Sequence, residues 1–110
     1  MDGTRNILLL DSDEQSAGDI QRFLKVSAYA FTLSHASDIQ EGLNYVRNRK
    51  PDLILLDANM GTQKDFAALK QLTQKNSIPI LLLSDSSPAE TRRQAEQTGA
   101  TDYVVKNKIN

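Results

Sequence analysis

No cysteine occurs among the 110 residues, so disulfide staples, thiolate nucleophiles and thiolate metal sites are excluded together. A single histidine, His35, cannot build an imidazole metal site by itself. Neither sign of charge dominates. Thirteen Lys and Arg face fourteen Asp and Glu, a formal net charge of −1, and the positive field that concentrates a protein on nucleic acid or anionic lipid is missing. No direct nucleic-acid or membrane partner is expected. Long apolar stretches are missing too: the Leu/Ile runs at 7–10, 53–56 and 80–83 fall far short of the ~20 residues that span a bilayer. The opening Met-Asp-Gly-Thr-Arg-Asn does not begin a secretory signal. The expectation is a cytoplasmic protein stabilised by packing alone. With 39% apolar and 25% charged residues the chain stands clear of the composition of disorder, and its length suits one domain over residues 1–110.

Apolar runs and amphipathic segments alternate along the chain. Residues 6–10, 53–56 and 79–83 are continuous Leu/Ile runs without the period-2 pattern of a half-wet strand, which predicts strands buried on both faces of a parallel sheet. Residues 30–34, where Phe31 and Leu33 alternate with polar neighbours, predict an edge strand, and 103–105 a short last strand. Four helices are expected between them. Ser12-Asp13-Glu14-Gln15 has the form of a capping box and is followed by Ala17, Ile20 and Leu24 on one face. The same form at Ser37-Asp38-Ile39-Gln40 precedes Ile39, Leu43 and Val46, with Lys50-Pro51 as the stop. Phe66, Leu69 and Leu72 line a third helix. Ser87-Pro88-Ala89-Glu90 opens a fourth, which ends at Gly99 and whose apolar face holds only alanines. A helix that buries so little is expected to be the most easily shifted element. Phe23, Phe31 and Phe66 are expected in the core, and His35 on the surface at a strand end.

This β-α order implies an open doubly wound sheet with right-handed crossovers, whose site lies at the carboxyl ends of the strands. Those ends carry Asp11, Asp57, Ser84-Asp85 and Lys106. Two carboxylates, a hydroxyl and an ammonium are thereby brought to one rim. Singly, each has a plainer reading: Asp11 as a helix cap, Ser84 as a turn cap, Lys106 as a solvated charge and Tyr103 as edge-strand filling.

Leu53-Ile54-Leu55-Leu56-Asp57-Ala58-Asn59-Met60, Ile80-Leu81-Leu82-Leu83-Ser84 and Gly99-Ala100-Thr101-Asp102-Tyr103-Val104-Val105-Lys106 together resemble the receiver domain of two-component response regulators, the CheY-like fold, over residues 5–107. The resemblance implies an α/β flavodoxin-like sheet of order 2-1-3-4-5. It implies that Asp57 accepts a phosphoryl group from a phosphohistidine on a sensor histidine kinase or histidine phosphotransfer protein, with a downstream effector as second partner. Mg²⁺ would be held by Asp57, Asp11 and the backbone carbonyl of Asn59, with Ser84, Lys106 and Tyr103 as switch and phosphoryl-binding residues. Self-catalysed transfer and hydrolysis at Asp57 would be the only chemistry. The residues fit such a role. A carboxylate attacking phosphorus brings like charges together, so cations must surround the transferring group.

The chain departs from that pattern in several places. Ser12 stands where the family has a second acid, and a hydroxyl binds Mg²⁺ less well than a carboxylate. Gly61 and Asp65 replace a usual Pro and Gly, Asp85 adds a carboxylate beside the switch serine as a modulator, and Asn107 replaces a proline. The family's fifth helix is absent or truncated at Asn110, which leads to the expectation of an exposed apolar strip, with three explanations open: a shortened chain, a homodimer that covers the strip, or a longer protein whose next segment completes the domain. Two alternatives stand beside the phosphoacceptor reading. One is a pseudo-receiver that signals by docking alone; the other is a haloacid-dehalogenase-type phosphatase, because Leu8-Leu9-Leu10-Asp11-Ser12-Asp13 resembles that superfamily's signature, with Asp11 as nucleophile and Asp13 as acid/base.

Overall fold

Each Leu/Ile run becomes a strand of a five-stranded parallel sheet of order β2-β1-β3-β4-β5. The computed structural model describes residues 5–25, 31–60 and 63–105, with the backbone alone at 16, 23–25 and 63. The elements run β1 (Arg5–Leu10), α1 (Glu14–Lys25), β2 (Phe31–Ala36), α2 (Ile39–Arg49), β3 (Leu53–Asp57), α3 (Gln63–Asn76), β4 (Ile80–Ser84), α4 (Pro88–Thr98) and β5 (Asp102–Val105). This is the flavodoxin-like architecture expected from the sequence, with four helices among the described residues. The side chains of Phe23 and Leu24, and residues Gly61, Lys106 and Asn107, lie outside the described parts.

Alternation along the strands divides the core in two. Leu8, Leu10, Ile54, Leu56, Ile80 and Leu82 pack with Ile39, Leu43 and Val46 of α2, Leu69 of α3 and Ala95 of α4. Ile7, Leu9, Leu55 and Leu83 point the other way, onto Ala17 and Ile20 of α1. Each large side chain buried this fully contributes about 1.5–3 kcal/mol, so the unbroken runs of β1, β3 and β4 carry most of the stability. On the α1 face Leu33, Leu53, Leu81 and Val104 are only partly buried. Phe31 and Phe66 pack half-buried against the two cores rather than inside them.

Strand bounds shift by one or two residues at several ends, and at two of them the hydrogen bonding shows why. β2 runs on to Ala36 because its pairing with β1 continues through Leu9↔His35 and Leu10↔Ala36. β4 starts at Ile80 and excludes Pro79, which has no N–H; its carbonyl still accepts the Ile54 N–H at 3.0 Å.

Two of the three expected helix caps are displaced by one residue. Asp13, not Ser12, caps α1: its Oδ1 accepts the Gln15 N–H at 3.0 Å and its carbonyl accepts the Ala17 N–H. Asp38, not Ser37, caps α2, accepting the Glu41 N–H at 2.8 Å. In each Ser-Asp pair the carboxylate makes the stronger, charge-assisted bond and complements the positive helix end. Where proline follows the serine, Ser87 caps α4 as expected, accepting the Glu90 N–H. Gly99 closes that helix at φ 74°, a left-handed conformation that glycine adopts without strain.

Gly42 lets α2 lie directly on β1, since a Cβ there would fall 2.5 Å from Leu10 Cδ2 in the packed interior. Gly42→Ala is expected to lower the unfolding free energy by about 1–3 kcal/mol, read from the urea midpoint, through this overpacking. Asp13→Ala is expected to lower it by about 1 kcal/mol while Ser12→Ala leaves it within a few tenths, a contrast that reverses if Ser12 is the cap.

Candidate functional site

The register of the central strands places two acids side by side. Leu10 pairs with Leu56 across β1 and β3, so Asp11 and Asp57 follow as neighbours on strands ~4.8 Å apart. Both are buried, at 0% and 5% exposure, although each stands at a strand end. Backbone N–H groups hold them: Asp11 Oδ1 accepts from Asp13 at 2.9 Å, and Asp57 Oδ1 accepts a longer bond from Asn59 at 3.4 Å. The Met60 N–H, bonded to the Asp57 carbonyl at 3.1 Å, closes a turn that leaves Asn59 exposed beside the acids.

The third expected group arrives from β4. Asp57 pairs with Leu83, and Ser84, 1% exposed, lies one step further along the same rim. Its hydroxyl accepts the Ser86 N–H at 3.1 Å and donates to Gln94 Oε1 of α4 at 2.9 Å. Tyr103, opposite Leu82 on β5, packs half-buried against the core on the α2–α4 side. Ser12 and Asp85 are exposed, and Lys106 lies outside the described residues.

Two neighbours of this rim were not singled out by sequence. His35 is exposed, as expected, yet its Nε2 lies 2.6 Å from the Asp11 carbonyl. A carbonyl only accepts, so that nitrogen carries the proton and the ring braces the loop that carries Asp11. Parallel registration of β2 on β1 brings it there, and neither motif nor spacing announces it. Gln94 is the other. Beside it, Arg93 is held above its ordinary pKa by hydrogen bonds to Glu90 and by the charge of that carboxylate.

Two buried carboxylates on adjacent strands, with a backbone carbonyl at Asn59 within the same turn, form an all-oxygen donor set of the kind that suits a hard divalent cation. The fit is partial. Among the described residues no three His, Asp or Glu side chains cluster closely enough to enclose a metal, so water would complete the shell.

Comparison with known proteins accords with this geometry. The response regulator receiver domain family matches residues 7–109. The transcriptional regulatory protein ZraR of Escherichia coli is 33% identical over 102 residues, covering 92% of this chain and 23% of that protein. PrrA of Mycobacterium leprae is 32% identical over 101 residues, covering 91% of this chain and 42% of that protein. The chain thus spans a quarter to under half of such relatives. Chemotaxis response regulator CheY4 of Vibrio cholerae shares the fold with a TM-score of 0.76 at 24% identity, over 94% of this chain and 87% of that one. The phosphorylated cyanobacterial phytochrome response regulator RcpA does so with 0.77 at 24%, over 94% and 81%. With strand order 2-1-3-4-5, a match over nearly its whole length and relatives above 30% identity, this chain belongs to the response regulator receiver domain family of two-component systems.

Proposed function

We propose that the domain is a phosphoacceptor switch in which Asp57 takes a phosphoryl group from a phosphohistidine. The observation that carries this reading is the placement of two buried acids, Asp11 and Asp57, each one residue past the Leu10↔Leu56 pair at the carboxyl ends of neighbouring strands, with Ser84 one step along the same rim on β4. An Asp57 carboxylate oxygen forms the new bond to phosphorus as the phosphorus–nitrogen bond to the donor imidazole breaks, and the imidazole keeps that electron pair. Asp11, Asp57 and the Asn59 carbonyl would hold Mg²⁺, which would supply positive charge where one anion approaches another. Lys106, which follows Val105 in the sequence, is proposed as the second cation. The Ser84 hydroxyl then donates to a phosphoryl oxygen, while Tyr103 and α4 follow the β4 loop. Asp85, exposed beside Ser84, modulates access of water and charge.

Relatives with this segment inside longer transcriptional regulators support a sensor kinase or phosphotransfer protein upstream and an effector downstream. The Mn²⁺-bound form of the response regulator Rcp1 adds support for a divalent ion in this fold. No helix among the described residues is long and apolar enough to cross a membrane, in keeping with a cytoplasmic role. On the same reading a second copy would cover the α1 face, where Leu53, Leu81 and Val104 are incompletely buried.

A second reading, a pseudo-receiver that docks without phosphorylation, is favoured by one observation. Ser12 occupies the place of an acid, and Asp13 does not replace it, since its carboxylate caps α1. The same hydrogen bond engages one oxygen of the carboxylate that a dehalogenase would use as its acid/base.

Incubation with Mg²⁺ and acetyl phosphate is expected to add one phosphoryl group, mapped by mass spectrometry to Asp57 and abolished in Asp57→Asn. Modification of Asp11 instead points to the hydrolase, and a mass left unchanged at millimolar Mg²⁺ points to the docking module.

A further inference from the structure

The Ser84 hydroxyl has one proton to give. One of its lone pairs takes the Ser86 N–H, and its own proton goes to Gln94 Oε1, 2.9 Å away on the second turn of α4. A phosphoryl oxygen on Asp57 can only accept. The same proton cannot serve Gln94 and a phosphoryl oxygen together. Resting on the phosphoacceptor reading of Asp57, we propose that Gln94 is a positioning residue that opposes the switch: its side-chain carbonyl competes with the phosphoryl group for the Ser84 proton and ties α4 to the unmodified state.

The surroundings make this bond a fitting latch. Ser84 is 1% exposed, so water is poorly placed to compensate its hydroxyl, while Gln94 is half-buried. The loop between them is tied to α4 at two other points, Thr91 Oγ1 donating to the Ser86 carbonyl and Ser87 capping the helix. These two bonds lie at the first turn and move with the loop. Among the described residues, the bond from Ser84 alone reaches past them from β4 to the second turn, fixing how the helix sits on the sheet. The rest of the buried face of α4 is Thr91, Ala95 and Thr98, and two of those side chains bond within the helix or its own loop. Loss of the Ser84–Gln94 bond removes a large share of what holds the middle of α4 to β4.

The test is a double-mutant cycle read with Mg²⁺ and beryllofluoride, an acceptor-only mimic of the phosphoryl group. Gln94→Met keeps the length of the side chain but offers no strong acceptor, and is expected to tighten beryllofluoride binding by about two- to tenfold, the worth of one neutral hydrogen bond. In a Ser84→Ala background, where no proton is contested, the same substitution is expected to change nothing. An equal gain in both backgrounds, or none in either, overturns the latch. Hydrogen exchange in the unmodified protein gives a second reading. Ser84→Ala and Gln94→Met should each speed exchange of the amides at 94–98 by the same factor, and the double variant no further. If the wild-type protein takes up no beryllofluoride at all, the phosphoacceptor reading falls, and the exchange cycle still decides whether Ser84 and Gln94 hold α4 as a unit; additive effects there overturn the latch.

Discussion

The register between β1 and β3 is the constraint on which the rest of the molecule depends. Because side chains alternate with a period of two, Leu10↔Leu56 commits one face of both strands to the larger core and the other face to α1. The same register brings Asp11 and Asp57 together as the next residues on neighbouring strands. A slip of one residue would turn every leucine to the wrong core and separate the acids at once. The free energy that holds two carboxylates in a buried place is thus the burial energy of the seven buried leucine and isoleucine side chains behind them on β1 and β3, and the site is as rigid as the core that positions it.

Most of this was legible because it depends on hydrophobic pattern. Uninterrupted Leu/Ile runs at β1, β3 and β4 suit the inner strands of a doubly covered sheet, and the helical spacing of Ile39, Leu43 and Val46 named the buried face of α2 except for Gly42. Once strands and helices alternate, the topology rules leave few sheet orders, and the strand ends name Asp11, Asp57 and Ser84 without further information. Lys50 and Gly99, both in left-handed conformations, end their helices where Lys50-Pro51 and Gly99 mark the sequence.

What was not legible is decided between elements or between near-equal local choices. Ser12-Asp13 and Ser37-Asp38 each offer two good caps in succession, and only the strength of a charged acceptor picks the second. Pattern matching reads the serine because the capping box is written around it. His35 reaches the Asp11 carbonyl through the pairing of β2 with β1, and Gln94 reaches Ser84 through the rotation of α4 about its axis. A helix with so few apolar residues has no stripe from which that rotation can be read.

That poverty of α4 has a mechanical meaning. An element anchored by leucines changes its seat only at the cost of several kcal/mol of exposed apolar area, whereas Thr91, Ala95 and Thr98 put little such area at stake. Beside the packing of Ala95, α4 is held to the β4 loop by hydrogen bonds, which have direction and a definite partner, and which a competing acceptor can exchange at small net cost. A receiver must leave its sheet intact while one surface changes. Here the two requirements fall on different interactions: hydrophobic burial fixes Asp11 and Asp57 on the strands, and a few exchangeable polar contacts around Ser84 hold the element free to respond.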